Sequence, residues 1–229
     1  QLCRAFFVDR PNVYLCPSCA DQIHHVKPPF CDRCGLPVCG EIRNNYTCSN
    51  CKDIEPDFDS ARSAVFTSGI VRKIIHKYKY GTARCLEPYL VKLFLSRALP
   101  NLTGQFFSGV IPIPLHTVKE RERGFNQALP LAQSLSDALN IPLLDSYVDR
   151  VKDTHPQTNL TRAARKENVR GAFHVRQGAI LGTFPVIIID DVMTTGATVN
   201  SCAKALRRAG AIEVKVWTLA RAHFDAVFA

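Results

Sequence analysis

Two kinds of segment are missing from this sequence. Among its 229 residues no apolar run reaches the roughly 18 residues that a transmembrane helix needs, so we expect no membrane insertion. The amino-terminal residues lack the basic and apolar stretches of a secretory signal, and we therefore expect a cytoplasmic protein. The chain starts with Gln1 rather than Met, which suggests a trimmed or partial amino terminus.

Acidic residues are also scarce. The chain has 20 Asp and Glu against 29 Lys and Arg, which gives a formal net charge of +9. This balance suits a phosphorylated ligand or a nucleic acid and does not distinguish between them. Hydrophobic residues make up 46% of the chain, which is enough for a core, and the length predicts one medium α/β domain with a small appendage.

Cysteine, by contrast, is abundant and clustered. Seven of the ten cysteines lie between Cys3 and Cys48, and Cys51 follows closely. Without an export signal we do not expect a disulfide framework, and clustered C-x₂-C pairs in such a chain favour a metal.

Two of the C-x₂-C pairs predict one zinc site. Each pair directs two sulfurs to one point, and Gly35 permits the tight turn of a zinc knuckle. Two such turns give the tetrahedral four-sulfur coordination of structural zinc, which leaves no open position for catalysis. The predicted ligands of this closed site are Cys31, Cys34, Cys48 and Cys51.

A third pair, Cys16 and Cys19, needs other partners if it binds a second zinc ion. Cys3 is one candidate, as the remainder of a C-x₂-C pair whose other cysteine would precede Gln1. An incomplete site and free, buried cysteines are the alternatives. The other candidate ligands near these pairs are His24, His25 and Cys39.

The most informative stretch is FPVIIIDDVMTTGATVNSCAKALRRAG, residues 184–210. Its apolar, β-branched run over 186–189 is typical of a buried strand in a parallel sheet. Apolar residues at helical spacing follow and stop at Gly210, and a second strand over 214–219 completes a βαβ unit.

The turn of this unit favours a phosphate. A helix amino terminus offers unpaired N–H groups and a partial positive charge, and the small and hydroxyl residues over 194–198 let an anion approach. Asp190 and Asp191 would repel that anion, so we expect them to bind another part of the ligand, such as sugar hydroxyls. A ribose 5-phosphate has this shape. The alternative is an ordinary strand–turn–helix in which Asp and Thr are caps.

VIIIDDVMTTGAT resembles the motif with which type I phosphoribosyltransferases bind 5-phosphoribosyl diphosphate (PRPP). The resemblance implies that Asp190 and Asp191 hold the ribose 2- and 3-hydroxyls. It also implies a loop around the 5-phosphate, formed by Thr194, Thr195, Gly196, Ala197 and Thr198.

The middle of the chain predicts further elements. Residues 61–67 and 110–114 read as strands, and residues 71–79 and 86–99 as helices. The basic stretch over 72–80 carries interleaved tyrosines. It could bind phosphate or single-stranded nucleic acid, although a solvated helix face with core tyrosines is the interpretation we favour.

Two segments offer cations to a diphosphate. The loop after the 110–114 strand carries Lys119, Arg121 and Arg123, whose guanidinium forks suit pyrophosphate oxygens, although Glu120 and Glu122 make an ordinary charged surface the alternative. A long polar segment over 150–173 is weakly periodic and is expected to be functional or disordered. It contains Lys152, His155, Gln157, Arg162, Arg165, Lys166 and Arg170.

These pieces together resemble the ComF family of competence proteins, described as amidophosphoribosyltransferase-like, over nearly the whole chain. The matching motifs are PIPL at 112–115, RGFNQ at 123–127, the Gln157, Arg162, Asn168 and Phe173 series, and DDVMTTGAT at 190–198. The sequence departs from the pattern at Cys3, which stands alone for a first pair, and at the extra Cys39.

The resemblance implies a type I phosphoribosyltransferase-like α/β fold, a parallel sheet flanked by helices with a small amino-terminal four-cysteine module similar to a zinc ribbon. We predict a zinc-finger module over 1–56 and a phosphoribosyltransferase-like domain over 57–229. The family is linked to DNA uptake in several bacteria, and the segment over 150–173 lies where a loop closes over the substrate in this architecture.

Two functions are expected. One is transfer of ribosyl 5-phosphate from PRPP and Mg²⁺ to an unknown acceptor with release of pyrophosphate, with Arg121, Arg123 and Lys152 neutralising the diphosphate. The other is non-enzymatic sensing of PRPP, or binding of single-stranded DNA or a DNA-uptake protein. No nucleophile or obligatory base is evident.

Overall fold

A four-stranded parallel sheet forms the centre of the protein, in a computed structural model that describes residues 15–38, 40, 45–53, 55–67, 69–80, 83–153, 164 and 167–222. The described chain has six strands, of which β3 and β4 form a separate two-stranded sheet. They are β1 (Ser60–Phe66), β2 (Gly109–Pro112), β3 (Val148–Arg150), β4 (Phe173–Val175), β5 (Val186–Met193) and β6 (Val214–Arg221). The sheet has the order β1-β6-β5-β2, and all its neighbours pair in parallel. A parallel sheet flanked by helices is the predicted fold class.

Helices cover both faces of this sheet. They are α1 (Pro17–Ala20), α2 (Ser49–Asp53), α3 (Gly69–Lys79), α4 (Glu87–Leu102), α5 (Thr117–Arg123), α6 (Ala128–Leu139) and α7 (Ala197–Arg208), with a 3₁₀ turn at Arg84–Leu86. No helix in the described ranges combines the length and the apolar character that a membrane crossing requires.

Strand β5 is buried on both faces because its side chains alternate between two cores. Ile187 and Ile189 pack with residues of α3, α4 and α6, whereas Val186 and Ile188 pack with α7. The three isoleucines are fully buried, and each contributes roughly 1.5–3 kcal/mol to folding. This double burial explains why the strand reads as a continuous apolar run.

The amino-terminal region packs on the edge of the sheet. Residues 24–26 run antiparallel to β1, where Phe66 N–H donates to the His24 carbonyl (2.9 Å) and Val26 N–H to the Ala64 carbonyl (3.1 Å). Farther along β1, Ala61 N–H donates to the Arg33 carbonyl (2.6 Å). The module boundary at residue 56 stays a prediction.

The structure corrects two local interpretations. The segment predicted as a loop carrying Lys119, Arg121 and Arg123 contains helix α5, which begins after His116 and ends at Gly124 in a left-handed conformation. None of the residues of α5 is buried, so no apolar periodicity reveals it. The polar segment over 150–173 begins and ends in strands β3 and β4, which pair antiparallel.

Candidate functional site

The acidic pair lies at the carboxyl end of β5, which runs past the apolar residues to Met193. Asp191 is 8% exposed, and its N–H donates to the Asp190 carboxylate (2.8 Å). Across the cleft, the Lys79 ammonium lies 2.6 Å from Oδ2 of Asp191. A cation from α3 therefore compensates the charge of a carboxylate from β5.

Asp190 is the perturbed member of the pair. Burial and the neighbouring Asp191 carboxylate raise the pKa of Asp190 to about 7. Lys79, the Asp191 N–H and Arg150 oppose this rise without cancelling it. Asp190 can therefore exchange a proton near neutral pH.

The loop after β5 leads into α7 as the sequence predicts. Gly196 caps the helix with φ 81°, and a Cβ at this position would lie 2.8 Å from Cε of Met193. The Thr195 hydroxyl accepts a hydrogen bond from Ala197 N–H (3.4 Å). The first turn of a 12-residue helix thus faces the cleft together with small and hydroxyl side chains.

The RGFNQ motif shapes the opposite wall. The Arg123 guanidinium donates to the buried Gln127 side chain (2.9 Å). Asn126 donates to the Ile113 carbonyl (3.0 Å) and accepts from Ala128 N–H (3.0 Å), which ties the end of the β2 segment to the start of α6. These contacts hold the Arg123 side chain at the cleft.

Arg150 is a site residue that the sequence analysis did not select. It ends β3, lies over the Phe173 ring at 5.4 Å, and is partly buried. Burial lowers the pKa of its guanidinium, whereas the nearby Asp190 carboxylate raises it. In the sequence, only its position at the end of a strand could have indicated a site residue, and the three-residue strand β3 was not predicted.

One cleft of about 460 Å³ collects these groups. The Asp190–Asp191 pair and the loop after β5 form one side. The other sides come from α3, α5 and β3. The charged and aromatic residues that line it are Arg72, His76, Lys79, Tyr80, Lys119, Arg123, Arg150, Asp190 and Asp191.

The predicted cations separate into two sets. Among the described residues that line the cleft, Lys119 and Arg123 are present, whereas Arg121 and Lys152 are not. Arg121 is exposed on α5, and the Lys152 ammonium donates to the Arg170 carbonyl (2.7 Å). His155, Gln157, Arg162, Arg165 and Lys166 lie outside the described residues, so their predictions stand untested.

In the basic stretch over 72–80, one tyrosine lies in the core, and other residues line the cleft, where they could contact a ligand. Tyr78 is buried and donates to Glu87 (2.7 Å), as expected of a core tyrosine. Arg72, His76, Lys79 and Tyr80 instead line the cleft. The spacing of Arg72, His76 and Lys79 by four and three residues places them on one face of α3, and Tyr80 follows directly after the helix.

The predicted zinc ligands form one cluster. The sulfurs of Cys31, Cys34, Cys48 and Cys51 all lie within 4.8 Å of one another, and those of Cys34 and Cys48 are 3.7 Å apart. In a tetrahedral site with Zn–S bonds of about 2.3 Å, neighbouring sulfurs are roughly 3.8 Å apart, so the cluster fits a small zinc module.

Polar groups favour the thiolate form of Cys31, whereas burial and the nearby Cys34 sulfur raise the pKa of Cys48 to about 11. Burial alone would raise the pKa of the Cys31 thiol, but N–H groups of Cys34, Cys48 and Arg33 outweigh it and lower the pKa to about 7. The Arg221 guanidinium, 4% exposed, donates to the Cys34 carbonyl (2.6 Å) and lies 3.7 Å from its sulfur. Arg62 donates to the Asp32 carbonyl (2.9 Å) beside the same cluster.

The first cysteine pair has a different setting. Cys16 caps α1, where its sulfur accepts from Cys19 N–H (3.3 Å), and Cys19 packs into the core beside Leu15. Within the described part of the chain, no group of potential metal ligands includes this pair. Cys3 and Cys39 lie outside the described residues, so a second zinc site stays a prediction.

The chain resembles one known domain family and several solved structures. Residues 126–226 match the phosphoribosyl transferase domain family. The solved structures that resemble the chain include the adenine phosphoribosyltransferase of Thermoanaerobacter pseudethanolicus, with 13% identity, coverage of 72% of this chain and 92% of that chain, and a TM-score of 0.39.

Relatives match over nearly the full length. The chain is 30% identical to the DNA utilization protein YhgH of Escherichia coli K12, over 90% of each protein. It is 26% identical to competence protein ComFC of Bacillus subtilis, over 95% of this chain and 88% of the relative. Competence protein F of Haemophilus influenzae is 34% identical over 225 residues, which span 91% of this chain and 97% of the relative. The chain therefore belongs to the ComF family, within the type I phosphoribosyltransferase superfamily.

Proposed function

We propose that the cleft binds PRPP, with the ribose diol at the Asp190–Asp191 pair and the 5-phosphate at the loop over 194–198. The observation that carries this proposal is the meeting of three unlike groups in one cavity. An acidic pair, the amino terminus of α7 and a set of cations match a diol, a monophosphate and a diphosphate. Thr194, Thr195 and Thr198 add hydroxyl donors around the phosphate.

The diphosphate lies, in this proposal, against the wall formed by Lys119, Arg123 and Arg150. These three cations line the cleft on elements other than β5 and α7. Arg121 and Lys152 act from the rim, where they attract the anion over a longer distance. Mg²⁺ is expected to enter with the ligand, since it pairs with diphosphate oxygens and retains water ligands.

We propose that the reaction is transfer of the ribosyl 5-phosphate to an acceptor. The bond between the anomeric carbon and the diphosphate oxygen breaks, and that oxygen retains the electron pair. The acceptor atom forms the new bond at this carbon and loses its proton. Positioning and electrostatic stabilisation of the leaving diphosphate supply the rate enhancement.

The cysteine cluster is proposed to hold one structural zinc ion. Its four sulfurs fill a tetrahedral set and leave no position for a substrate. Two relatives are named competence proteins and another a DNA utilization protein. By analogy with these names, we propose that the protein acts in the uptake or use of external DNA.

Calorimetry with PRPP and Mg²⁺ tests the ligand. Each charge-assisted hydrogen bond contributes roughly 1.5–3 kcal/mol, so an Asp190→Ala/Asp191→Ala variant should bind PRPP at least about 100-fold more weakly. Asp145→Ala, which removes an exposed carboxylate outside the cleft lining, is the matched control. If wild type binds no PRPP, or the double variant binds it as wild type does, the assignment is wrong. Release of pyrophosphate with an added acceptor then tests transfer.

A second candidate function is binding of single-stranded DNA along α3. His76 and Tyr80 form an aromatic pair with centroids 4.6 Å apart, Tyr80 is 61% exposed, and Arg72 lies on the same helix face. Such a strip suits base stacking next to phosphates.

Anisotropy of a labelled oligonucleotide measures this binding. Since a base stacked on an aromatic ring contributes about 1–3 kcal/mol, Tyr80→Ala should weaken binding roughly 5- to 150-fold. Phe106→Ala, at another exposed ring, is the control. Equal affinities of the two variants would exclude this strip as the DNA site.

A further inference from the structure

Lys79 occupies an unusual place for a surface-helix lysine. It is the last residue of α3, its side chain is only 22% exposed, and its ammonium lies 2.6 Å from a carboxylate oxygen of Asp191. The Asp191 side chain is itself 12% exposed, so the contact is largely shielded from water. Such a contact is much less screened than an ion pair on the surface.

The acidic pair requires positive charge from elsewhere. Two adjacent carboxylates in a partly buried site repel each other, and either protonation or a nearby cation relieves that repulsion. A divalent metal ion commonly supplies the charge at such pairs. Here the chain supplies it, with Lys79 from α3 and Arg150 from β3 as the cations that act on Asp190.

These two cations offset part of the negative charge of the two carboxylates without any metal ion. Both line the same cleft as the pair, and they come from different elements. A free divalent ion that entered the empty cleft would have to displace an ammonium held at hydrogen-bond distance or share the carboxylate with it. The electrostatic gain of that exchange is reduced because the ammonium already neutralises the Asp191 carboxylate that the ion would bind.

We propose that Lys79 is the resident counter-cation of the Asp190–Asp191 pair, which orients Asp191 for the diol of the ligand and keeps free divalent ions out of the empty cleft. The role in orienting Asp191 rests on the proposed binding of a ribose phosphate. The exclusion of free divalent ions does not rest on that proposal, because it concerns the cleft without a ligand. Lys79 is thus a positioning residue, and a divalent ion enters only together with a diphosphate.

The test measures Mn²⁺ binding by electron paramagnetic resonance, with no sugar phosphate present. Lys79→Met removes the ammonium and keeps most of the apolar stem, so we expect it to gain one Mn²⁺ site that is at least about tenfold tighter than any wild-type site outside the cysteine cluster. The gained site should disappear in Lys79→Met/Asp190→Asn/Asp191→Asn. Lys79→Arg keeps the charge and should bind Mn²⁺ as wild type does.

Lys73→Met is the matched control, since Lys73 is exposed on the same helix and does not line the cleft. Metal binding at the cysteines is common to all variants and cancels in the comparison. A Mn²⁺ isotherm of folded Lys79→Met that coincides with that of wild type would overturn the proposal, as would a gained site that survives replacement of both aspartates. Thermal melting confirms that each variant is folded.

A second measurement separates this inference from the proposed function. PRPP binding is titrated in wild type, Lys79→Met and Lys79→Arg. If wild type binds PRPP, Lys79→Met should bind it at least about tenfold more weakly, with partial rescue by arginine, and unchanged affinity would overturn the role in orienting Asp191. If wild type binds no PRPP, the proposed function fails, and the Mn²⁺ result still decides whether Lys79 excludes free divalent ions.

Discussion

Asp190 lies in the candidate site at a cost to the stability of the protein. It lies against Asp191 in a partly buried site, which raises its pKa to about 7. The pKa of an unperturbed Asp is about 3.8, so folding favours the protonated form. The free energy of unfolding should therefore decrease as the pH rises from about 4 to about 7, and stay lower above that range.

Asp190→Asn should stabilise the protein at pH 8 while it removes PRPP binding. The difference between 3.8 and about 7 corresponds to roughly 4 kcal/mol, and partial exposure reduces the expected gain to about 1–2 kcal/mol, or a Tm increase of roughly 2–8 °C. The amide oxygen can still accept from Asp191 N–H.

Thermal melting between pH 5 and 8 measures the effect of this substitution. The Tm difference between Asp190→Asn and wild type should become smaller toward pH 5, where wild-type Asp190 is protonated. The exposed Asp145→Asn is the control. An advantage of Asp190→Asn that does not change with pH would contradict the pKa assignment.

Gly196 is a second residue of the candidate site, and the atoms around it determine how much a substitution there would destabilise the protein. Gly196 and Gly104 share φ 81°, but a Cβ at Gly196 would lie 2.8 Å from Cε of Met193, whereas a Cβ at Gly104 meets no heavy atom within 4 Å. Gly104→Ala should therefore cost only the backbone strain of about 1–2 kcal/mol.

Gly196→Ala should cost at least about 1 kcal/mol more than Gly104→Ala and should also weaken PRPP binding. Urea denaturation of both variants gives the difference, and calorimetry gives the affinity. Equal destabilisation would mean that the Met193 side chain moves aside freely.

At the scale of the element, helix α5 gives different surroundings to Arg121 and Arg123, which are only two residues apart. His116 caps the helix by accepting from Val118 N–H, and Gly124 ends it. Arg123 lines the cleft and is held by Gln127, whereas Arg121 is exposed and does not line the cleft. Two residues correspond to just over half a helical turn, so the two side chains lie on different sides of α5.

Pyrophosphate binding should separate the two residues. Arg123→Met should weaken it at least about tenfold, because a charge-assisted contact is lost. Arg121→Met should weaken it less, and that loss should fade as salt is raised, because a rim charge acts through a screened field. Calorimetry at low and high ionic strength tests both. A larger loss for Arg121→Met would reverse the assignment.

At the scale of the whole molecule, the cysteine cluster is joined to the sheet that bears the cleft. Arg221 ends β6, pairs in register with Met193 of β5, and contacts Cys34 through its guanidinium. Gly35 packs so closely on β1 that a Cβ there would lie 2.4 Å from the Ala61 carbonyl oxygen. We therefore expect a change in the cluster to affect β5, the strand that precedes the loop over 194–198.

Arg221→Met should speed the loss of zinc to a chromogenic chelator roughly 10- to 100-fold, because it removes the cation next to the thiolates. Chelation should also lower the Tm of the entire protein and the exchange protection of the Phe66 and Ala61 amides. Arg208→Met, an exposed arginine on α7, is the control. Unchanged release from Arg221→Met would contradict the coupling.

Features that lie within a few residues of one another could be predicted from the sequence. The βαβ unit with its acidic pair and small-residue loop, and the two C-x₂-C pairs, carry their chemistry at fixed short spacing. Double burial of β5 leaves a continuous apolar run, and the structure places the four cysteines in one cluster. Helix α5 could not be predicted from an apolar pattern, since none of its residues is buried.

The sequence by itself thus determined the parallel α/β fold, the strand–turn–helix unit with its acidic pair, and the cysteine pairs, because local spacing and periodic burial produce each of them. Only the tertiary structure decided that Lys79 contacts Asp191, that Arg150 lies near enough to Asp190 to act on its charge, and that Arg221 contacts Cys34 across 187 positions. Such pairs join segments that are distant in the chain, and their charges leave no period in the sequence. Their partners follow only from the order in which the strands are packed.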